Sequence, residues 1–331
     1  MKKTYLILAA AAAFTFTACT SEVDEPQNLG SAAIGFTNHV DKASRAIESD
    51  ADFTDFFVYG KYTNGEAVVK AFDNVKVTKS SEVWSYSPVQ YWVAEAKYLF
   101  KAVSADNADP TDVTYDEKDN KLTVANYAVT AENQKDLIYA FSSEYTGKAS
   151  GNDKVDLKFN HMLARFHFNF NSEFTDGSVI TVSNVVLSKL VSTSTLTDGA
   201  WGQTTGEVSL TSKYTAAGST EAAASFTVAS KSTTTTDYLY TMPNNYTDAS
   251  ALTLAFDVVV KDVNDKEIGK KSVSATWVPN LEMGKSYVVN VTLNGKNTTD
   301  LEPIEFTASC NTWGEDQDAG TIVPAPVQTQ Q

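Results

Sequence analysis

The sequence predicts an all-β protein built from antiparallel β-sandwiches, and three observations carry that expectation. Apolar and polar residues alternate with a period of two along most of the chain, which gives each strand one buried and one wet face. Turn-rich stretches separate the alternating runs, as in Asp116-Glu117-Lys118-Asp119-Asn120, Gly147-Lys148-Ala149-Ser150-Gly151-Asn152 and Asp262-Val263-Asn264-Asp265. The 331 residues include 15 Tyr and 17 Phe, a composition suited to half-buried pleated surfaces.

In chain order, strands are expected at residues 57–62, 98–103, 122–124, 137–141 and 155–159. A single long strand follows, with Met162, Ala164, Phe166, Phe168 and Phe170 on one side and His161, Leu163, Arg165, His167 and Asn169 on the other. Further strands are expected at 179–186, 226–228 and 239–242. The clearest are at 252–260, where Leu252, Leu254, Phe256, Val258 and Val260 share a face, and at 287–293, where Tyr287, Val289, Val291 and Leu293 do. Residues 43–56 and 219–224 are expected as short helices. The Ser/Thr run 230–236 reads as an exposed loop or edge. The length is a prior for two domains, and the joint is expected at residues 171–177, where one strand ends in Asn-Ser-Glu-Phe-Thr-Asp-Gly before alternation resumes at Val179. No fixed-period repeat is visible, which argues against solenoids and propellers.

Charge and composition exclude several functions. With Lys+Arg 26 against Asp+Glu 41, the net charge of −15 would repel a phosphate backbone, so no nucleic-acid partner is expected. Two cysteines and three histidines leave no room for a disulfide framework or a Cys-rich zinc site. His161 and His167 on one strand would stand roughly 20 Å apart, too far to share a metal. Cys310 has no nucleophile turn around it. Asp116, Glu117 and Asp119, or Asp262, Asn264 and Asp265, lack the glycine and late glutamate of a calcium loop and read as solvated hairpin turns. Trp84, Trp92, Trp201, Trp277 and Trp313 could stack on sugars if exposed, but tryptophans of β-sandwiches mostly pack inside. The chain is therefore not expected to be an enzyme, nor to hold a catalytic set, a cofactor or a metal.

The N-terminus is a targeting segment. Lys2 and Lys3 precede an apolar stretch too short to span a bilayer, and Phe16-Thr17-Ala18-Cys19 resembles a lipobox. Residues 1–18 are thus expected to be a lipoprotein signal peptide and Cys19 the acylated first residue, attaching the precursor to outer-membrane lipid. The acidic run Glu22-Val23-Asp24-Glu25 is similar to the surface-export signal of Bacteroides-group lipoproteins and favours the outer face of the outer membrane.

Behind that signal the landmarks fall in a particular order: Ile34-Gly35-Phe36, Trp84-Ser85-Tyr86-Ser87-Pro88 leading to Tyr91-Trp92, Tyr98-Leu99-Phe100-Lys101-Ala102, Asp136-Leu137-Ile138-Tyr139-Ala140, Leu157-Lys158-Phe159-Asn160-His161-Met162-Leu163-Ala164-Arg165, Ile304-Glu305-Phe306 and Trp313. Their order and spacing resemble the fimbrillin family, the lipoprotein-derived type V pilins of Bacteroides-type bacteria. The resemblance implies two consecutive transthyretin-like antiparallel β-sandwich domains, 46–172 and 173–331, behind a lipidated leader, 19–45, that holds a removable first strand. It implies a fimbrial subunit or adhesin on the outer membrane and in the fimbrium, with other fimbrial subunits and a host or bacterial receptor or glycan as partners. It also implies cleavage between Arg45 and Ala46. Loss of the strand near residues 32–37 would open a groove for a neighbour's strand, and residues 320–327 hold the apolar tail that could fill it. The competing class is an outer-membrane glycan-binding lipoprotein, which an exposed coplanar aromatic pair would favour.

Overall fold

A computed structural model describes residues 33–40, 53–81, 83–150, 154–295, 298, 305–312 and 318–322; for 38–40, 305–312 and 318–322 it describes the backbone. The first ten strands are β1 (Phe36–Val40), β2 (Asp55–Asn64), β3 (Ala67–Ser80), β4 (Val83–Tyr86), β5 (Lys97–Ala105), β6 (Val113–Asp116), β7 (Lys121–Ala128), β8 (Leu137–Phe141), β9 (Tyr145–Thr146) and β10 (Val155–His161). There follow β11 (Ala164–Ser172), β12 (Val179–Thr197), β13 (Ala200–Trp201), β14 (Thr205–Thr211), β15 (Tyr214–Thr215), β16 (Ala222–Ala223), β17 (Ser225–Val228), β18 (Thr233–Thr235), β19 (Leu239–Thr241) and β20 (Asn244–Asn245). The last are β21 (Leu252–Lys261), β22 (Glu267–Trp277), β23 (Asn280–Leu281), β24 (Lys285–Leu293), β25 (Glu305–Thr312) and β26 (Asp318–Ile322).

The first sheet runs β1-β10-β8-β5-β2-β3-β4. It curls until its end strands face each other, because Phe36 of β1 meets Tyr86 of β4 at 5.6 Å between ring centroids. Ile34, Phe36, Phe56, Phe72, Phe100 and Phe159 fill the inside. The second sandwich packs the sheet β22-β21-β12-β7-β6 against β18-β11-β24-β25-β26, and alternate residues of β11, β12, β21 and β24 form its core. The strict alternation of β21, buried at every second position, is the pattern expected of a strand with one wet face.

The two cores are joined rather than merely adjacent. β12 spans 19 residues: Ile180, Val182 and Leu187 belong to the second core, while Leu196 at its far end belongs to a third cluster. That cluster lies on the outer face of the first sheet, on Phe57, Tyr59, Val103 and Tyr139. The β6–β7 hairpin leaves the first half of the sequence and pairs with β12, Thr193 opposite Ala128.

Three sequence expectations need correction. The expected single strand across residues 161–170 is two: β10 ends at His161, and Met162 and Leu163 carry the chain from the first sheet to the second sandwich. Backbone bonds hold that crossing, from the Met162 amide to the Leu137 carbonyl and from the Gly284 amide to the Leu163 carbonyl. β11 therefore lies in the core of the second sandwich, and the expected joint at 171–177 falls inside that unit. Second, pairing is not wholly antiparallel: β1 runs parallel to β10 and β11 parallel to β24. β1, the first strand of its sheet, thus lies beside that sheet's last strand, β10, and β11 lies beside the late strand β24. Third, residues 219–224 are not helical; Ala222 and Ala223 pair with Thr215 and Tyr214 in a short ribbon. Of the other expected helix, residues 43–52 lie outside the described residues, and Asp55 and Phe56 already belong to β2.

The edge strand and its slot

β1 is the feature that singles out a functional site. Ile34 and Phe36 point inward and are 2% and 1% exposed, each contributing roughly 1.5–3 kcal/mol of burial. The Phe36 ring touches four others, at 6.2 Å from Phe56, 5.5 Å from Phe72, 5.6 Å from Tyr86 and 5.7 Å from Phe100. Backbone pairing is lopsided. One side of the strand forms a ladder with β10, in which the Val155 amide donates to the Gly35 carbonyl at 2.7 Å. The other side has local anchors: the Ile34 amide donates to the Gln90 carbonyl at 2.8 Å, and the Tyr86 hydroxyl donates to the Ile34 carbonyl at 2.7 Å. The slot that β1 occupies is therefore walled by β10 on one side and by residues 86–91 on the other. Gly35 faces outward, where a Cβ would come within 3.1 Å of the Lys154 side chain. Tyr91 at 55% and Val89 at 47% exposure stand on the rim, an apolar surface beside the slot's entrance.

At the other end of the chain, β26 closes the edge of the second sandwich. Its pairing with β25 sets Phe306 opposite Ile322 and Thr307 opposite Thr321. Gly320, Thr321 and Ile322, three residues of the expected donor tail, are thus already strand-paired within their own sandwich.

Between the sandwiches lies a polar seam. Lys101, 7% exposed, donates to Asp198 at 2.5 Å, and the same carboxylate accepts from the Leu122 amide at 2.9 Å. His161 Nδ1 lies 2.5 Å from Oδ2 of the fully buried Asp136. Asp106 lies beside them, its amide bonded to the Asp136 carbonyl. Burial, and then the charge of Asp136, push the Asp106 carboxyl up to about 6. Burial also raises the Tyr127 and Tyr139 hydroxyls well above the usual range.

Cys19, Arg45 and Ala46 lie outside the described residues, as does Trp313. His161 and His167 belong to different strands, and the His167 ring packs on Tyr238 at 4.5 Å. The acidic turns are hairpin turns: Asp116 accepts from the Lys118 amide, and Asp262 from the Asn264 and Lys266 amides. Among the described residues no group of three His, Cys, Asp or Glu could hold a metal ion. Trp92 and Trp277 are buried; Trp84 packs on Phe53 and Phe56, and the Trp201 indole donates to the Met162 carbonyl. Gln90 was invisible to sequence reasoning, since a lone Gln in a loop carries no signal. Tyr86 stood within one of the aromatic landmarks.

A curled β-sheet closed by its first strand and joined to a second β-sandwich defines the architecture as a two-sandwich all-β protein. The chain belongs to the fimbrillin-like family, whose model matches residues 41–313. Among solved structures it is similar to a protein of Bacteroides ovatus provisionally assigned to cell adhesion, at 11% identity and a TM-score of 0.50, covering 87% of this chain and 98% of that one. A Bacteroides uniformis protein with the same assignment shows 17% identity and a TM-score of 0.45 over 87% of this chain and 100% of the other. The fimbrial anchor protein Mfa2 of Porphyromonas gingivalis shows 12% identity and a TM-score of 0.35 over the same shares. Among curated proteins none matches significantly. Family membership makes the chain a fimbrial subunit or adhesin of the cell surface, a structural protein rather than an enzyme.

Proposed function

We propose that this chain is exported as an outer-membrane lipoprotein through Cys19, is cut between Arg45 and Ala46, and then joins other fimbrial subunits by strand exchange at the slot of β1. The attachment of β1 and the residues leading into it carries the reading: one backbone ladder, a few anchors at Ile34, and the buried side chains of Ile34 and Phe36. Such a strand is an edge element whose loss leaves a ready template for another strand. The connection to β2 supports cleavage. Val40 is the register partner of Phe159, and the Phe53 ring lies 4.9 Å from the Phe159 ring, so residues 41–52 leave and return to one place. A short turn would close that gap; a twelve-residue connection is long for it, and it contains Arg45.

The arginine count makes the cut selective. The sequence has two arginines, Arg45 and Arg165, and Arg165 is 3% exposed, its Nε donating to Ser286 and its guanidinium 3.8 Å from the Tyr238 ring centroid. With Arg165 buried, Arg45 is the one remaining candidate for an arginine-specific protease. After cleavage the Val155 amide and the pocket of Phe36 are left open, and the apolar tail of a neighbour, within residues 320–327, fills them. A host or bacterial surface receptor or glycan completes the adhesive role. The glycan-binding alternative needs an exposed aromatic platform, which Trp84, Trp92, Trp201 and Trp277 do not form.

The test is arginine-specific proteolysis of the purified precursor. Release of the segment up to Arg45, with oligomers that resist mild SDS, is expected. A cut chain that stays monomeric would contradict the polymerising role.

A further inference from the structure

We propose that the incoming tail enters the slot antiparallel to β10, opposite in direction to the β1 it replaces, with Val323, Ala325 and Val327 facing the core. The inference rests on the strand-exchange reading above and adds its polarity and register.

Two prolines decide the matter. In any strand, one residue points its amide and carbonyl to one neighbour and the next residue to the other, while side chains alternate between faces. In the segment that leads into β1, the outward Gly35 faces β10 with its carbonyl, and the inward Ile34 faces Gln90 with its amide. Inward residues of a strand running as β1 does therefore turn their backbone away from β10. Reversing the strand reverses that relation, so that inward residues turn their backbone toward β10.

Pro324 and Pro326 have no amide to donate, so both must face away from β10 for the ladder to form. Run parallel, the tail would satisfy this only with Ile322, Pro324 and Pro326 inward. Ile322, however, is held in β26 opposite Phe306, and two prolines would replace the aliphatic side chains of the core face. Run antiparallel, the tail puts Val323, Ala325 and Val327 inward with full backbone pairing to β10. The prolines then face outward, with their ring nitrogens on the side of Gln90, where β1 uses a single amide. The three inward residues match three of the alternate buried residues of β10: Val323 is set opposite Phe159, Ala325 opposite Leu157 and Val327 opposite Val155.

The tail has the reach. Residues 323–331 alone extend to roughly 30 Å beyond β26, enough to cover the eight residues of segment 33–40. β26 can thus stay paired in its own sandwich while the tail beyond it serves the next subunit.

Disulfide trapping tests the polarity. The chain is expressed from Thr20 with Cys310→Ser and cut at Arg45; Gln328→Cys is combined with Lys154→Cys in one variant and with Asn160→Cys in another. Lys154, directly before β10, and Asn160 within it are both exposed, and they stand roughly 20 Å apart. Cross-linked ladders from the Lys154→Cys pair alone are expected. Ladders from the Asn160→Cys pair, alone or as well, overturn the antiparallel assignment and leave strand exchange standing. If neither pair cross-links, the assignment is overturned, and Ala325→Pro decides the rest. Loss of SDS-resistant oligomers in that variant keeps the tail in the slot in another register, whereas undiminished oligomers bring down strand exchange itself.

Discussion

The Phe36 ring stands 5.5 Å from the Phe72 ring at an interplanar angle of 81°, so a side chain of the edge strand is locked into the aromatic interior of the curled sheet. The contact joins two residues far apart in sequence, and one of them is expected to leave. Edge-to-face aromatic pairs of this kind add to the burial that holds β1 in place.

Phe36→Ala should destabilise the uncut precursor by about 3–5 kcal/mol, the range for deleting a fully buried aromatic side chain. In cut protein from which the leader has departed, the substitution is gone with the strand. Denaturant unfolding of wild type and variant, before and after cleavage, should show a difference in the precursor that vanishes in the product. A difference that persists would mean that β1 stays bound after the cut.

Acid should report on Asp106. Its carboxyl, raised to about 6, holds its proton more tightly in the folded state than in the unfolded chain, where the value is about 3.9. The stabilising contribution is therefore full below about pH 4 and is lost as pH rises through about 6. Asp106→Asn should remove that dependence and raise the Tm at pH 7 relative to wild type, with little change at pH 4. Asn suits the backbone there, where φ is +47°. Thermal melts at the two pH values check the sign; an equal shift at both would contradict it.

The seam between the sandwiches should respond unequally to loss of either partner of its ion pair. Asp198→Asn leaves the ammonium of the nearly buried Lys101 without its counter-ion and should cost about 3 kcal/mol, whereas Lys101→Met, which leaves the more exposed carboxylate on the Leu122 amide, should cost less. Chemical denaturation of the two variants measures the order. A larger loss for Lys101→Met would reverse the argument.

Strand identity was legible where one face is buried and the other is wet. β21 alternates strictly and β24 does so over its second half, from Val289 to Leu293, and the Ile34-Gly35-Phe36 signature marked the segment that closes the slot. Strand direction was not legible, because alternation is the same for parallel and antiparallel neighbours; the pairing of β1 with β10 follows from tertiary packing alone. The break at Met162 and Leu163 was hidden for a related reason. Both residues are buried and apolar in the third cluster, so the period of two runs through the crossing without a turn residue to mark it. Ala222 and Ala223 read as helix on composition, yet they are exposed and pair across a ribbon with Tyr214 and Thr215. The wall of the slot at Gln90 depends on a backbone carbonyl, and no side-chain pattern reports on that.

The most direct measurement is the N-terminal residue of the protein isolated from assembled fimbriae. The account predicts Ala46, with the leader and β1 absent. Assembled protein that begins at Cys19 and keeps β1 would contradict it.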